Sequence, residues 1–485
     1  MEIARVSRRE ILLIVVCAGL FFLFCQFILQ WDSDVEPKDE VTRLGENEVS
    51  FEDYKDNMPQ RSDLLDQIKK MDNSDVPYGY DFNVDRIERD IGNPKQYAES
   101  NKLPFILWWT PFTGDMGSVK KCSKGKCFFS QDRTLFDHRL TKVLMFYGTN
   151  INTSDLPLPR KGHHEWAVLH EESPKNNVLF YHEDFISLFN HTSTFRQTSD
   201  YPITTQYMNS LEELQRQPFM SFHEKDQQDI APAMFLQSGC NPPSDRDAYI
   251  HELMKYIQVD SYGACLKNKE LPNHLKSPLT MHDDSLRDFV GKYKFALTFE
   301  NAICDDYITE KLWRPLAAGT VPVYKGAPNV LEWLPDKKSA ILVDDFESPK
   351  DLANYLRHVA ENESEYTKYL AFKKNGITNN KLLKRIKSRE WGVNDLEKMS
   401  FITGFECFVC DRIHENKIRL EMGKPIIHHV ASKKHYGCPE PKMYHLQSPP
   451  QSETWERETW QLEYNDAVME AQKLRTKIFS RNSDK

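Results

Sequence analysis

This sequence is short of positive charge: 63 lysines and arginines stand against 72 aspartates and glutamates, a net charge of −9 over 485 residues. A nucleic-acid binder needs a basic surface to displace counterions from phosphates, so that class is excluded, and any anionic ligand must be met by a local basic pocket. No internal repeat is present. His163-His164 and His428-His429 lack partners at tetrahedral metal-site spacing and read as surface residues. No small-x-small cleavage site follows the single long apolar run, which argues against a removed signal peptide. The chain ends at Arg481 to Lys485 without a retrieval tetrapeptide.

At 40% hydrophobic and 28% charged residues, the composition is that of a folded protein. Its length exceeds the ~250–300 residues at which one core stops growing, so two domains are expected. Residues 11–29, ILLIVVCAGLFFLFCQFIL, match the ~20 helical residues that cross a hydrocarbon core. Arg5, Arg8 and Arg9 precede the run and Asp32, Asp34 and Glu36 follow it. The positive-inside rule then places residues 1–10 in the cytoplasm, a signal-anchor at 11–31, and the rest on the luminal side. Residues 32–102 are acidic and polar, with Pro37, Pro59, Pro77 and Pro94, and read as a luminal stem that cannot bury enough apolar surface to order itself.

Order is expected to begin at LPFILWW, residues 103–109, a run with the length and aromatic content of a buried strand. Similar runs stand at 143–147, 166–169, 186–189, 234–236, 295–299, 320–324 and 340–343. Helix-like stretches lie at 245–257, 309–318 and 349–360. Short buried strands alternating with amphipathic helices are the pattern of parallel α/β domains. The polar, weakly patterned stretch at 211–229 marks a boundary, which predicts an N-terminal domain at 103–228 and a C-terminal one at 229–395, facing across a cleft. A C-terminal extension, 396–485, carries the FECFVC segment and an amphipathic helix at 465–479.

Beyond the anchor cysteines Cys17 and Cys25 lie eight more: Cys122, Cys127, Cys240, Cys265, Cys304, Cys407, Cys410 and Cys438. An even luminal set suits disulfides in an oxidising compartment. Asn152, Asn190 and Asn362 head N-glycosylation tripeptides, consistent with the same side of the membrane.

The densest polar patterning is KFALTFENAICDDYITEKLWRPLAAGTVPVYKG, residues 294–326. It starts as a strand, breaks into a polar loop at 300–306 and enters a helix near Thr309. A helix start offers free N–H groups and a positive dipole end, which suits a pyrophosphate. Glu310 and Lys311 fall in its first turn, where a carboxylate can accept from ribose hydroxyls and an ammonium can neutralise a phosphate. A bare Thr-Glu-Lys also fits a plain capping acid beside a surface lysine.

This segment resembles the donor-binding signature of the α1,3-fucosyltransferases, glycosyltransferase family ten, whose FxLxFEN…DYxTEK…G…PVxxG pattern it matches in register from Phe295 to Gly326. The likeness runs from about Leu103 to Asp411. It is closest to the fucosyltransferase ten and eleven subgroup, the protein O-fucosyltransferase-like branch, through LPLPRKGHHEWAVLHEESPKNN, SDRDAY, CDDYITEKLWRP and FECFVC. The resemblance implies an inverting enzyme with two Rossmann-like domains of the GT-B type, using GDP-fucose as donor and a glycoprotein as acceptor. It assigns Asn301 and Tyr307 to the nucleotide diphosphate, Glu310 to the ribose, and Lys311 with Arg246 to the phosphates. A planar guanidinium suits paired phosphate oxygens.

An inverting transfer needs a carboxylate to take the acceptor proton. The resemblance points to Glu172, the glutamate before Ser-Pro, with Glu171 as the fallback, since neighbours in an extended segment face opposite ways. Acid pairs at Asp283-Asp284, Asp305-Asp306 and Asp344-Asp345 loosely resemble a metal clasp, but the family assigns neutralisation to basic side chains, so no metal site and no essential divalent ion are expected. Trp108, Trp109 and Trp313 read as core. The acceptor stays open between GlcNAc of a glycan, linked α1,3, and Ser or Thr of a small disulfide-rich domain, with a Golgi or endoplasmic reticulum address accordingly. A homodimer, a catalytically silent lectin-like or chaperone protein on this scaffold, and another GDP-sugar as donor are the other readings left open.

Overall fold

The computed structural model describes residue 87 and residues 91–112, 117–276, 280, 283–393, 398–445 and 454–479. The expected cytoplasmic tail, the anchor at 11–31 and most of the stem lie outside them. Among the described residues no helix is long and apolar enough to cross a membrane.

Two sheets organise the chain. The first comprises β1 (Phe105–Thr110), β2 (Ser118–Lys121), β3 (Lys126–Ser130), β4 (Thr141–Tyr147), β5 (Glu165–His170) and β6 (His191–Thr194), in the order β2-β3-β1-β4-β5-β6. Its pairings are parallel except for the β2–β3 hairpin. The second comprises β7 (Ala233–Gln237), β8 (Val259–Gly263), β9 (Phe295–Phe299), β10 (Val321–Lys325) and β11 (Ile341–Leu342), all parallel in the order β11-β10-β9-β7-β8. The chain reverses its direction of travel between β7 and β9. In open parallel sheets the strand ends at such a reversal leave the crevice where ligands bind.

Five helices matter below: α1 (Arg246–Leu253), α2 (Glu310–Ala318), α3 (Pro349–Glu361), α4 (Phe401–Glu421) and α5 (Thr454–Phe479). α2 begins at its cap Thr309 and buries Leu312, Trp313 and Leu316 against Met208, Leu214 and Trp333. Gly319 ends it in the left-handed region at φ +75°, and a Cβ there would come within 2.6 Å of Pro218 Cα. Met208 and Leu214, from the segment between the two sheets, pack with α2.

The residues after 396 are no appendage. Phe105 and Leu107 of β1 share a core with Ala467, Ala471, Leu474 and Ile478 of α5. On the opposite face, Ile106 and Trp108 pack against Phe401, Phe405 and Val409 of α4. Alternate residues of a strand face opposite sides of its sheet, so the C-terminal segment covers both faces of the N-terminal sheet. The stem also ends early: the helix Pro94–Ser100 buries Ala98 in the same core.

Other local expectations needed correction. The apolar run at 186–189 is not a strand: the helix Glu183–Ile186 ends there, with acids in its first turn. The strand completing that edge is β6, His-Thr-Ser-Thr, which is polar yet fully buried. Two of its hydroxyls are satisfied, Thr192 by Asp200 and Thr194 by the distant His435 carbonyl, whereas Ser193 Oγ is buried with no partner among the described residues. FECFVC lies within α4, where Cys407 and Cys410 share a face and bond separately to Cys122 and Cys127 of the β2–β3 hairpin. Beside them, buried Lys120 and Glu406 pair at 2.6 Å, and Trp108 donates to Glu406 at 2.8 Å. The remaining bridges are Cys240–Cys265 and Cys304–Cys438.

The two hairpin-to-α4 bridges close nearly the same long loop, of 285 and 283 residues. With one intact, the other closes only a short ring. Removing either pair by alanine should therefore cost about 2 to 3 kcal/mol of unfolding free energy. Removing both should cost more than the sum of the two. Denaturant unfolding of the three variants measures this, and simple additivity would contradict it.

Candidate active site in the cleft between the sheets

The crevice at the β7/β9 reversal is built around Arg246. Asp245, in the left-handed region at φ +51°, turns the chain into α1. The buried Arg246 guanidinium then donates to the Phe299 carbonyl at the end of β9 (2.9 Å) and to the Gly239 carbonyl beyond β7 (2.8 Å). Its Nε is buried without a hydrogen-bond acceptor among the described residues, with Asp247 at 3.7 Å. Burial lowers its pKa, and Asp247 and Glu300 counter that effect. The Cys240–Cys265 bridge holds the Gly239 loop.

Beyond β9, buried Glu300 accepts from the Thr309 amide at 2.8 Å and from its hydroxyl at 2.9 and 3.1 Å. It thereby anchors the start of α2, a role the sequence did not suggest. Burial raises its pKa while Lys311 pulls it down. Lys311 Nζ donates to Thr309 Oγ1 at 3.0 Å and Glu310 Oε1 at 3.2 Å, and stands 3.6 Å from Glu300. Burial opposes its charge, but Glu310 and Glu300 outweigh that and its pKa ends above the ordinary value. Arg246, Glu310 and Lys311 thus converge on one end of the second sheet.

The loop after β5 brings the first body to the same place. Glu172, half-buried, accepts from the Tyr307 hydroxyl at 3.1 Å and the Tyr207 hydroxyl at 3.2 Å. Burial and Glu172 hold the Tyr307 phenol well above its usual pKa, so it stays a donor. One residue on, Ser173 donates to Asn301 at 2.8 Å. Glu171 points elsewhere: buried, it accepts from Tyr147 at 2.9 Å, while its other oxygen has no partner among the described residues. Burial, then the Glu172 charge, push its pKa up to about 8. Tyr436, next to the Cys304–Cys438 bridge, donates to the Glu172 carbonyl at 2.6 Å and steadies the loop from behind. The structure therefore gathers Glu172, Arg246, Asn301, Tyr307, Glu310 and Lys311, and sets Glu171 apart.

Lys175 was not singled out from the sequence. Its Nζ lies 3.4 Å from where a Cβ on Gly239 would stand, directly over the loop that Arg246 grips. The only signal was its place three residues after Glu172.

The acid pairs are engaged otherwise. Asp306 accepts from Gln197, Asn329 and Trp333, and Asp305 pairs with Arg196 at 3.1 Å. Asp284 pairs with Arg287, and Asp344 with Lys325. His163-His164 is not wholly superficial: His164 is buried, and burial lowers its pKa to about 4. Trp109 is only partly buried, under the Arg133 guanidinium. Asn152 is exposed, and Asn362 caps the helix Glu363–Tyr369. Asn190 is partly buried, accepting from Arg160 and the Trp166 amide and donating to the His429 carbonyl.

Two family models match this chain: "Fucosyltransferase, N-terminal" over residues 101–208 and "Glycosyltransferase family 10 (fucosyltransferase) C-term" over 223–429. GDP-fucose protein O-fucosyltransferase 3 of Homo sapiens is 46% identical over 390 residues, covering 79% of this chain and 81% of that protein. The Danio rerio protein of the same name is 47% identical over 377 residues, covering 77% and 82%. A solved alpha1,3-fucosyltransferase with GDP aligns at 15% identity and a TM-score of 0.38, covering 69% of this chain and 96% of that one.

Glu171 supplies a pH test. A carboxyl whose folded pKa stands above its unfolded value makes its full contribution to stability below the unfolded value, and loses it as pH rises through the folded one, here about 8. Glu171→Gln removes that titration. The difference in thermal midpoint between Glu171→Gln and wild type should shift in the variant's favour from about pH 5 to about pH 9. A pH-independent difference would show that Glu171 ionises normally.

Proposed function

Because this chain belongs to glycosyltransferase family 10, the fucosyltransferases, and is a GDP-fucose-dependent transferase, we propose that it moves L-fucose onto a serine or threonine hydroxyl of a folded, disulfide-rich protein, with inversion at the anomeric carbon. The protein acceptor is favoured by relatives 46–47% identical whose name specifies protein O-fucosylation. Four disulfides among the described residues suit an oxidising luminal compartment. That supports a Golgi or endoplasmic reticulum address, with residues 11–31 as a type II anchor.

One observation carries the mechanism: Glu172 sits on the first body, 3.1 Å from Tyr307, which belongs to the donor-side loop of the second. In this reading the GDP diphosphate lies at the β7/β9 crevice beside Arg246 and Lys311, and the ribose near Glu310. Asn301 and Tyr307 line the loop between them. Glu172, oriented by Tyr307 and Tyr207, accepts the acceptor proton as that oxygen forms its bond to fucose C1. The bond from C1 to the β-phosphate oxygen breaks, and its electron pair leaves on GDP. Negative charge grows on the diphosphate during the transfer, and fixed cations beside it favour the transition state over the ground state. Side-chain cations do the neutralising, so no divalent ion is needed and turnover should persist in a chelator.

Glu172→Gln should cut kcat by ~10²- to 10⁴-fold while leaving GDP affinity within a few-fold of wild type. Lys311→Ala should weaken GDP by at least about 10-fold. Labelled GDP-fucose offered with a deglycosylated disulfide-rich domain and, separately, with a biantennary N-glycan identifies the acceptor. Label on the glycan alone refutes the protein acceptor, and label from GDP-mannose in place of GDP-fucose refutes the donor.

A further inference from the structure

The loop that carries Glu172 also carries an ammonium aimed across the cleft. Ser173 binds this loop to Asn301 on the donor side at 2.8 Å, and the Lys175 amide donates back to Ser173 Oγ at 3.2 Å. The Lys175 side chain then reaches the second body, over Gly239, whose carbonyl is the acceptor for Arg246 Nη2. It is half-buried, and the structure gives its Nζ no hydrogen bond or ion pair among the described residues. Its electrostatic neighbours are Arg246, Glu172, Lys311 and Asp247, so three cations crowd one end of the cleft. Burial and Arg246 both work against its charge.

Of the neighbouring acids, Glu172 takes two tyrosine hydroxyls and Asp247 accepts from the Asn241 amide. A cluster of cations that are partly desolvated and incompletely neutralised fits a ligand carrying more than one negative charge. The β7/β9 crevice beneath is where such a ligand belongs in this topology.

We propose that Lys175 binds the donor's diphosphate from the opposite body, adding a third cation to Arg246 and Lys311. This rests on the fucosyl-transfer reading and extends it. Lys175 and Glu172 lie on one short tethered loop, so an ammonium drawn to the diphosphate sets the carboxylate against the sugar that diphosphate carries. Donor binding and base placement become one event. The ammonium moves no proton; it donates hydrogen bonds to phosphate oxygens and offsets the charge that develops on them as GDP leaves.

The test compares Lys175→Ala, Lys175→Met and Lys175→Arg with wild type, using GDP and GMP in calorimetry and GDP-fucose with the acceptor in steady-state kinetics. Loss of one charge-assisted contact should weaken GDP by roughly 10- to 100-fold in the alanine and methionine variants. GMP, which lacks the second phosphate, should be affected less. The kcat/KM for GDP-fucose should fall at least as much as GDP affinity, with acceptor KM little changed, and arginine should restore most of both. The near-isosteric methionine variant, with an unchanged thermal midpoint, separates loss of charge from misfolding. Wild-type GDP affinity and turnover in the alanine variant would overturn the proposal, as would a defect confined to acceptor KM. Failure of the wild-type protein to bind GDP at all would instead sink the fucosyl-transfer reading.

Discussion

The cleft depends on a short polar seam where the loop after β5 meets the loop after β9. Tyr307 donates to Glu172 and Ser173 donates to Asn301, so the first body is held to the second by hydrogen bonds from side chains that also line the site. Arg196 and Gln197, just beyond β6, extend the seam onto Asp305 and Asp306. Such bonds are individually modest in water, but in a partly buried seam each partner lost would leave a polar group unsatisfied. Geometry at the seam therefore sets geometry at the chemistry.

What keeps the seam in place comes largely from the end of the chain. α4 and α5 cover opposite faces of the first sheet, two disulfides fasten α4 to the β2–β3 hairpin, and a third joins Cys438 to Cys304 in the donor-side loop. Tyr436 reaches from beside that bridge to the Glu172 carbonyl. The C-terminal segment is thus packed on the first body and covalently tied to the second. A segment that touches both can fix their separation better than the loops that line the cleft.

The site is also a concentration of buried charge. Glu300 is spent on the start of α2, Lys311 leans on Thr309, Glu310 and Glu300, and Arg246 ties two strand ends through backbone carbonyls. These contacts preorganise the cations before any ligand arrives, so little reorganisation is needed when an anion enters. Glu171 and Glu172 show the opposite use of burial. The same two-residue step sends one carboxyl into a pocket that favours its neutral form and the other to the cleft between two phenols.

The strands with apolar character on both faces were legible directly: Phe105–Thr110, Thr141–Tyr147, Phe295–Phe299 and Val321–Lys325 lie where their hydrophobic runs put them, because strands of a covered parallel sheet must be apolar throughout. The start and first turn of α2 were legible too, where the strand at 295–299 gives way to a polar loop and then to a helix-like stretch. So were Arg246, Asn301, Tyr307, Glu310, Lys311 and Glu172 as candidates, through the likeness of their motifs. Polar β6 escaped notice because its burial is satisfied by partners distant in sequence, such as His435, and a one-dimensional pattern cannot display them. For that reason only the tertiary structure could decide that residues after 396 belong to the first core and that Cys407 and Cys410 bond to the hairpin rather than to each other. It also decided that Glu171 turns away while Lys175 crosses the cleft. Local sequence determines which elements form, whereas contacts spanning hundreds of residues determine which side chains meet.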